Sequence, residues 1–248
     1  MTADSVAIVF DRVSKAFDGR TVLNAVSLDV RTGTAFCLLG RSGTGKSVTL
    51  RHIVGLEMPD SGRVLVAGED VAVLSRRDLS RVRKRMGFLF QNAALFDSLS
   101  VRENVAFPLR RHTDLGEQAI MSRVREKLGA VGLERDIDKM PSELSGGMRK
   151  RVGLARAMVL NPSILLVDEP SAGLDPITTR EIDELLVAQK ESGTTLVVVT
   201  HNIPSARLVA DNIAMLHEGR IVARGTVDEM AASDNPLVRA FMQSEGGG

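Results

Sequence analysis

The run Gly40-Arg41-Ser42-Gly43-Thr44-Gly45-Lys46-Ser47 narrows the folds open to this chain more than any other stretch. It fits the pattern G-x-x-x-x-G-K-[ST], follows the apolar segment 34–39 and opens a segment of helical character that reaches about residue 54. A strand that feeds a glycine-rich turn and then a helix aims backbone N–H groups and the positive end of a helix dipole at one point. Phosphate is the group that fits there. Lys46 is placed to reach the β- and γ-phosphates of a nucleotide, and the Ser47 hydroxyl to ligate Mg²⁺. By average residue frequencies the pattern arises by chance in roughly 1% of chains this long, and its strand–loop–helix setting makes chance rarer.

Apolar runs at 7–10, 34–39, 64–67, 87–90, 164–168, 195–200, 213–216 and 220–223 read as strands. Several are unbroken, as expected of strands buried on both faces. Helical patterns fall between them. One starts after Asp175-Pro176, where Asp suits the N-cap and Pro the first helical position. The alternation predicts an α/β fold with a largely parallel central sheet. Residues 92–160 carry helical patterns and no convincing strand. We therefore expect a single domain over 1–248, with a core from 1–91 and 161–248 and an inserted helical subdomain at 92–160. The final 246–248 glycines are set aside.

Composition bears on what such a domain binds. Lys+Arg number 32 and Asp+Glu 31, for a net charge of +1, whereas a protein whose affinity rests on polyanion contacts is usually more basic. Trp and Tyr are absent, which removes most platforms for stacking single-stranded bases. The one cysteine, Cys37, sits in an apolar run, forms no intrachain disulfide and reads as an inert core thiol. No stretch approaches the ~18 apolar residues of a membrane span, and 6–10 is too short for a secretory signal. A cytoplasmic protein is expected, with any membrane role exercised through a partner.

Two further elements extend the phosphate site. The apolar run 164–167 ends in Asp168-Glu169-Pro170. An acid at the end of a buried strand beside the loop is where Mg²⁺ needs a second protein ligand, which assigns Asp168. Glu169, one residue on, is placed to polarise the water that attacks the γ-phosphate. The second element, Leu144-Ser145-Gly146-Gly147-Met148, precedes an expected helix at 149–160. A hydroxyl and open amides at a helix start form another phosphate-binding device. Arg149, Lys150 and Arg151 crowd its first turn, where cations oppose the dipole, and an anion docking nearby would relieve them. A guanine-specifying N-K-x-D sequence is not recognisable.

Together these residues resemble the ATP-binding subunits of ABC transporters, over nearly the whole chain and in the required order. The resemblance implies a P-loop NTPase (RecA-like) core with an N-terminal antiparallel β portion. Gly40 to Ser47 match the Walker A loop, residues 144–148 the signature loop, and 164–169 Walker B with its catalytic glutamate. Asp175, closing Ser171-Ala172-Gly173-Leu174-Asp175, matches the D-loop. Gln91 matches the loop glutamine that contacts Mg²⁺ and the attacking water, His201 the switch histidine on the γ-phosphate, and Phe17 the aromatic that stacks on adenine. The resemblance further implies a head-to-tail dimer of two copies, with ATP held between Walker A of one and Ser145 and Gly147 of the other. Met148 stands where most members have Gln, so Ser145 and Gly147 remain as the signature loop's phosphate contacts.

A narrower resemblance lies in VRKRMGFLFQNAALFDSLSVRENVAFPLRRHT, residues 82–113. Phe107-Pro108-Leu109 and the closing His112-Thr113 look like the ATPases of Mla/MCE-type lipid transporters, with Arg111 replacing an acid. This implies ATP hydrolysis that powers lipid movement through integral permease subunits, the segment 91–113 meeting the permease. It also implies a small cytosolic regulatory subunit, an MCE-type substrate-binding protein and a peripheral position on the cytoplasmic face of the inner membrane. Transporters of other substrates share most of these motifs. Non-transport members that act on nucleic acid or ribosomes usually carry tandem cassettes, a coiled-coil insertion or a basic arm, and this sequence shows none. No nucleic-acid partner is expected. The ten residues 76–85, rich in arginine, read as a solvated helix face or as a patch near anionic headgroups or an acidic permease loop.

Overall fold

A computed structural model describes residues 5–243; the 246–248 glycines lie outside them. In chain order, a hairpin of β1 (Val6–Phe17) and β2 (Arg20–Arg31) precedes β3 (Ala35–Leu39) and α1 (Lys46–Ile53). Then come β4 (Ser61–Val66), β5 (Glu69–Asp70), α2 (Arg76–Arg83) and β6 (Met86–Leu89). Three helices follow, α3 (Val101–His112), α4 (Glu117–Ala130) and α5 (Gly146–Met158), with 3₁₀ turns at Glu134–Asp136 and Pro141–Glu143. The chain continues through β7 (Ile164–Asp168), α6 (Pro176–Glu191), β8 (Thr195–Thr200), α7 (Ile203–Val209), β9 (Asn212–His217), β10 (Arg220–Gly225), α8 (Val227–Ala231) and α9 (Pro236–Gln243).

The strands form two sheets. One is antiparallel, in the order β2-β1-β4-β5; the other runs β10-β9-β3-β8-β7-β6. In the second, only the β9–β10 pair is antiparallel. The parallel strands β3, β7 and β8 are buried at every position, which accounts for their unbroken apolar runs. Period-two alternation splits them between two cores. Phe36, Leu38, Leu166, Val197 and Val199 pack with the antiparallel sheet and α1, against Phe10, Leu28 and Leu50. Ala35, Cys37, Leu39, Leu165, Val167 and Val198 face the other way, into one cluster with Val105, Leu109, Val124, Leu128 and Leu154. The helices of residues 92–160 thus share an unbroken core with the parallel sheet.

Three details depart from expectation. Residues 20–31 form a strand that the sequence reading left out. α5 starts at Gly146 rather than 149, because Ser145 caps it by accepting a hydrogen bond from Met148 N–H at 3.2 Å. The cations 149–151 do not await an anion. Arg149 donates to Leu144 O at 2.8 Å, Lys150 to Glu169 O at 2.7 Å and Arg151 to Val131 O at 3.4 Å.

Candidate nucleotide site

The parallel strands all end at the same edge of the sheet, the edge where α/β folds bind ligands. The loop after β3 carries Gly40 to Gly45. Gly45 has φ 102° and caps α1, and a Cβ there would lie 2.9 Å from Val22 Cγ1. Only glycine takes that backbone without strain. Thr44 Oγ1 closes the turn on Arg41 O at 2.9 Å. Arg41, Ser42, Gly43 and Thr44 line a cleft of about 460 Å³ with Arg20, Thr21 and Val22 of β2. Phe17 stands at the end of the same hairpin, cross-strand from Arg20, 37% exposed and with Lys15 Nζ 5.2 Å from its ring centroid.

Lys46 is 5% exposed. Its Nζ donates to Gly40 O at 2.9 Å and Arg41 O at 3.1 Å, and lies 3.1 Å from Glu169 Oε1. Ser47 Oγ donates to Asp168 Oδ1 at 2.9 Å. Two hard oxygen donors so close together fit Mg²⁺, which takes few protein ligands and completes its shell with phosphate and water. Among the described residues no cluster of three or more His, Cys, Asp or Glu forms a protein-only metal cage. Burial pushes the Asp168 carboxyl above the usual range, against the hydrogen bond from Ser47.

Glu169 has φ 44°, a left-handed backbone that is uncommon away from glycine. Its N–H bonds to Val199 O at 2.9 Å, which ties it to β8. Its Oε2 lies 2.9 Å from His201 Nδ1 and accepts from His201 N–H at 3.3 Å. Burial alone would raise this carboxyl; the His201 hydrogen bond and the Lys46 charge outweigh it and hold the carboxyl below the usual range. The structure therefore brings Lys46, Ser47, Asp168, Glu169 and His201 into one contiguous polar cluster.

The remaining expected residues stand apart from it. Gln91, in the turn after β6, lines a second cleft with Asn92, Ala93, Gly146, Arg149, Lys150 and residues 172–174. Ser145 is exposed at the head of α5. Gly147 is pressed on α6: a Cβ there would lie 2.4 Å from Thr178 Cγ2. Asp175 caps α6, accepting from Ile177 N–H and Thr178 N–H, both at 3.0 Å, and from Thr178 Oγ1 at 2.6 Å. Sequence reading counted Lys150 among three cations at the helix start and missed that it is buried against the Glu169 carbonyl; its place on the apolar face of α5 was the available signal.

Comparison with known proteins gives the chain a family. Residues 23–172 match the family described as ABC transporter. The chain is 44% identical over 238 residues to the probable ribonucleotide transport ATP-binding protein mkl of Mycobacterium leprae, covering 96% of this chain and 69% of that protein. With the intermembrane phospholipid transport system ATP-binding protein MlaF of Escherichia coli K12 it shares 42% identity over 241 residues, 96% of this chain and 90% of MlaF. A dimeric structure of the cassette MJ0796, in a post-hydrolysis state bound to ADP and Pi, superposes with a TM-score of 0.81 at 32% identity, over 88% of this chain and 98% of that one. The chain therefore belongs to the ABC transporter family and is one of its ATPase cassettes.

Proposed function

We propose that this cassette powers phospholipid movement through a membrane permease, and that it works as a pair of identical chains. The observation that carries the reading is the match to MlaF along 90% of MlaF's length, supported by the resemblance of residues 107–113. Within the site, Lys46 neutralises the phosphates of ATP. Ser47 and Asp168 would hold Mg²⁺, which would supply charge neutralisation at the phosphate oxygens, and Gln91 would reach towards it from the neighbouring loop. Glu169 accepts a proton from the attacking water, and His201 orients the carboxylate and reaches the γ-phosphate. Phe17 and the cleft beside β2 take the base. Ser145 and Gly147 close the partner's site, Asp175 setting α6 beneath them. The dimeric cassette MJ0796 supports the pairing. The grouping of α3 to α5 in sequence supports a division into a core of 1–91 and 161–248 and a helical subdomain of 92–160.

The permease would seat on a groove between α2, β6, α3 and α5, where Phe90, Phe96 and Phe107 are 38%, 43% and 45% exposed. Arg102 and Arg110 of α3 pair within the chain, with Asp138 and Glu117, which leaves the aromatics as the better docking contacts. No helix among the described residues is long and apolar enough to cross a membrane, which suits a peripheral subunit on the cytoplasmic face. An MCE-type substrate-binding protein and a small cytosolic regulatory subunit complete the assembly on this reading.

Another transported solute has its own support, since the relatives include the ribonucleotide-named mkl protein and the methionine import ATP-binding protein MetN of Caulobacter vibrioides, 42% identical over 90% of this chain. Purifying the native complex and analysing its bound molecules by mass spectrometry decides between them. Co-purified phospholipid whose occupancy changes on ATP turnover supports the lipid reading; a lipid-indifferent complex stimulated by a polar solute overturns it.

A further inference from the structure

Lys150 stands in the second turn of α5 and is 6% exposed. Its Nζ donates to the carbonyl oxygen of Glu169 at 2.7 Å. That carbonyl belongs to the residue with φ 44°, whose backbone is held off its ordinary conformation. The turn itself supplies the carbonyl with a longer bond, from Ala172 N–H at 3.3 Å. The lysine therefore makes the shorter contact, from a different element. It does so at a cost, since burying an ammonium is unfavourable and an apolar chain of the same length would fill the space more cheaply. Burial brings the Lys150 ammonium down to about 8, against the nearby charges of Glu169 and Asp168. The same side chain walls the cleft lined by Gln91 and Gly146.

We propose that Lys150 is a positioning residue for hydrolysis: by bonding the Glu169 carbonyl from α5, it sets the catalytic carboxylate according to where α5 sits. The inference rests on the reading of Glu169 as the base. Glu169 is anchored to β8 through its N–H and to α5 through its C=O, so a shift of α5 relative to the sheet turns the Cα between those anchors, which carries the side chain. Ser145 and Gly147 head the same helix. A phosphate docking on that end would move Lys150 with it, and the carboxylate of one chain would respond to nucleotide held with its partner.

The test compares Lys150→Met, which keeps length but loses the donor, with Lys150→Arg, which restores a donor and charge. Steady-state ATPase and ATP trapping, the latter in a Glu169→Gln background, are measured for each. Lys150→Met is expected to lose about tenfold to a hundredfold in kcat, the range for a reacting group displaced by about 1 Å. Its KM for ATP should change less than about threefold, and trapping should persist. Lys150→Arg should recover most of the rate. Wild-type kcat in Lys150→Met overturns the proposal. So does loss of trapping in step with kcat, which marks a role in the fold alone, and so does an arginine variant as slow as the methionine one. Hydrolysis at the normal rate by Glu169→Gln with Lys150 intact would instead overturn the assignment of the base.

Discussion

At the scale of single residues, the cluster is held by charge neutralisation. Lys46 faces both the loop carbonyls and Glu169, so an arriving phosphate competes with Glu169 for the same ammonium. Lys46→Ala removes the cation that meets the phosphates and should weaken ATP binding by about tenfold or more, read by equilibrium titration. Equal affinity in the variant would contradict the role. Glu169→Gln preserves shape and loses the proton acceptor. Its kcat should fall by about a hundredfold or more with ATP binding retained, as phosphate-release assays would show. The gathering of Lys46, Ser47, Asp168 and Glu169 at one point was legible from sequence because each sits in a short local pattern. The burial of Lys150 was not, because the flanking arginines made it read as one of three cations crowding a helix start. The geometry sends each of those three cations to a different carbonyl of its own chain.

At the scale of elements, β2 escaped the sequence reading for a physical reason. Its buried Leu23, Val26, Leu28 and Val30 alternate with polar residues, and the spacing slips at Ala25, which has φ 50°. The central strands, apolar throughout, were plain. Helix α5 ties several regions together. Near its far end Arg156 donates to Ala93 O at 2.7 Å and Ala94 O at 2.9 Å, holding two alanines with φ 59° and 47°, and its guanidinium lies 5.7 Å from the Phe96 ring centroid. Arg156→Met should cost about 1–3 kcal/mol and loosen the loop beyond Gln91. Hydrogen exchange should quicken at 93–99, and permease-stimulated ATPase should fall more than the basal rate. Between α6 and α7, the buried Asp183 leaves Oδ1 without a hydrogen bond, and burial pushes its carboxyl up to about 6. A carboxyl raised on folding is no burden below its unfolded pKa near 4; the cost grows as pH rises and is complete above about 6. Asp183→Asn should therefore raise Tm at pH 7.5, by on the order of 1–2 kcal/mol of stability, with no gain at pH 4. A Tm gain independent of pH would refute this account.

At the scale of the whole molecule, the helical insertion and the parallel sheet share one core, while Lys46 and Ser145 head different helices in the two parts. One nucleotide using both devices would draw them from two chains. A Lys46→Ala chain mixed with a Ser145→Arg chain places both lesions on one composite site and leaves the other intact. In a Glu169→Gln background the purified heterodimer should trap one ATP, against two for the dimer free of both lesions. A heterodimer that traps none rules out the shared site. The fully buried Cys37, whose thiol burial pushes up and so keeps protonated, bears on any such experiment. It lies on the central strand β3, between β8 and β9, and no local fraying uncovers it. A thiol reagent therefore reaches the native sulfur only when the whole sheet opens. The chain carries an internal clock for global unfolding, and cysteines introduced on its surface can be labelled selectively without first removing the native one.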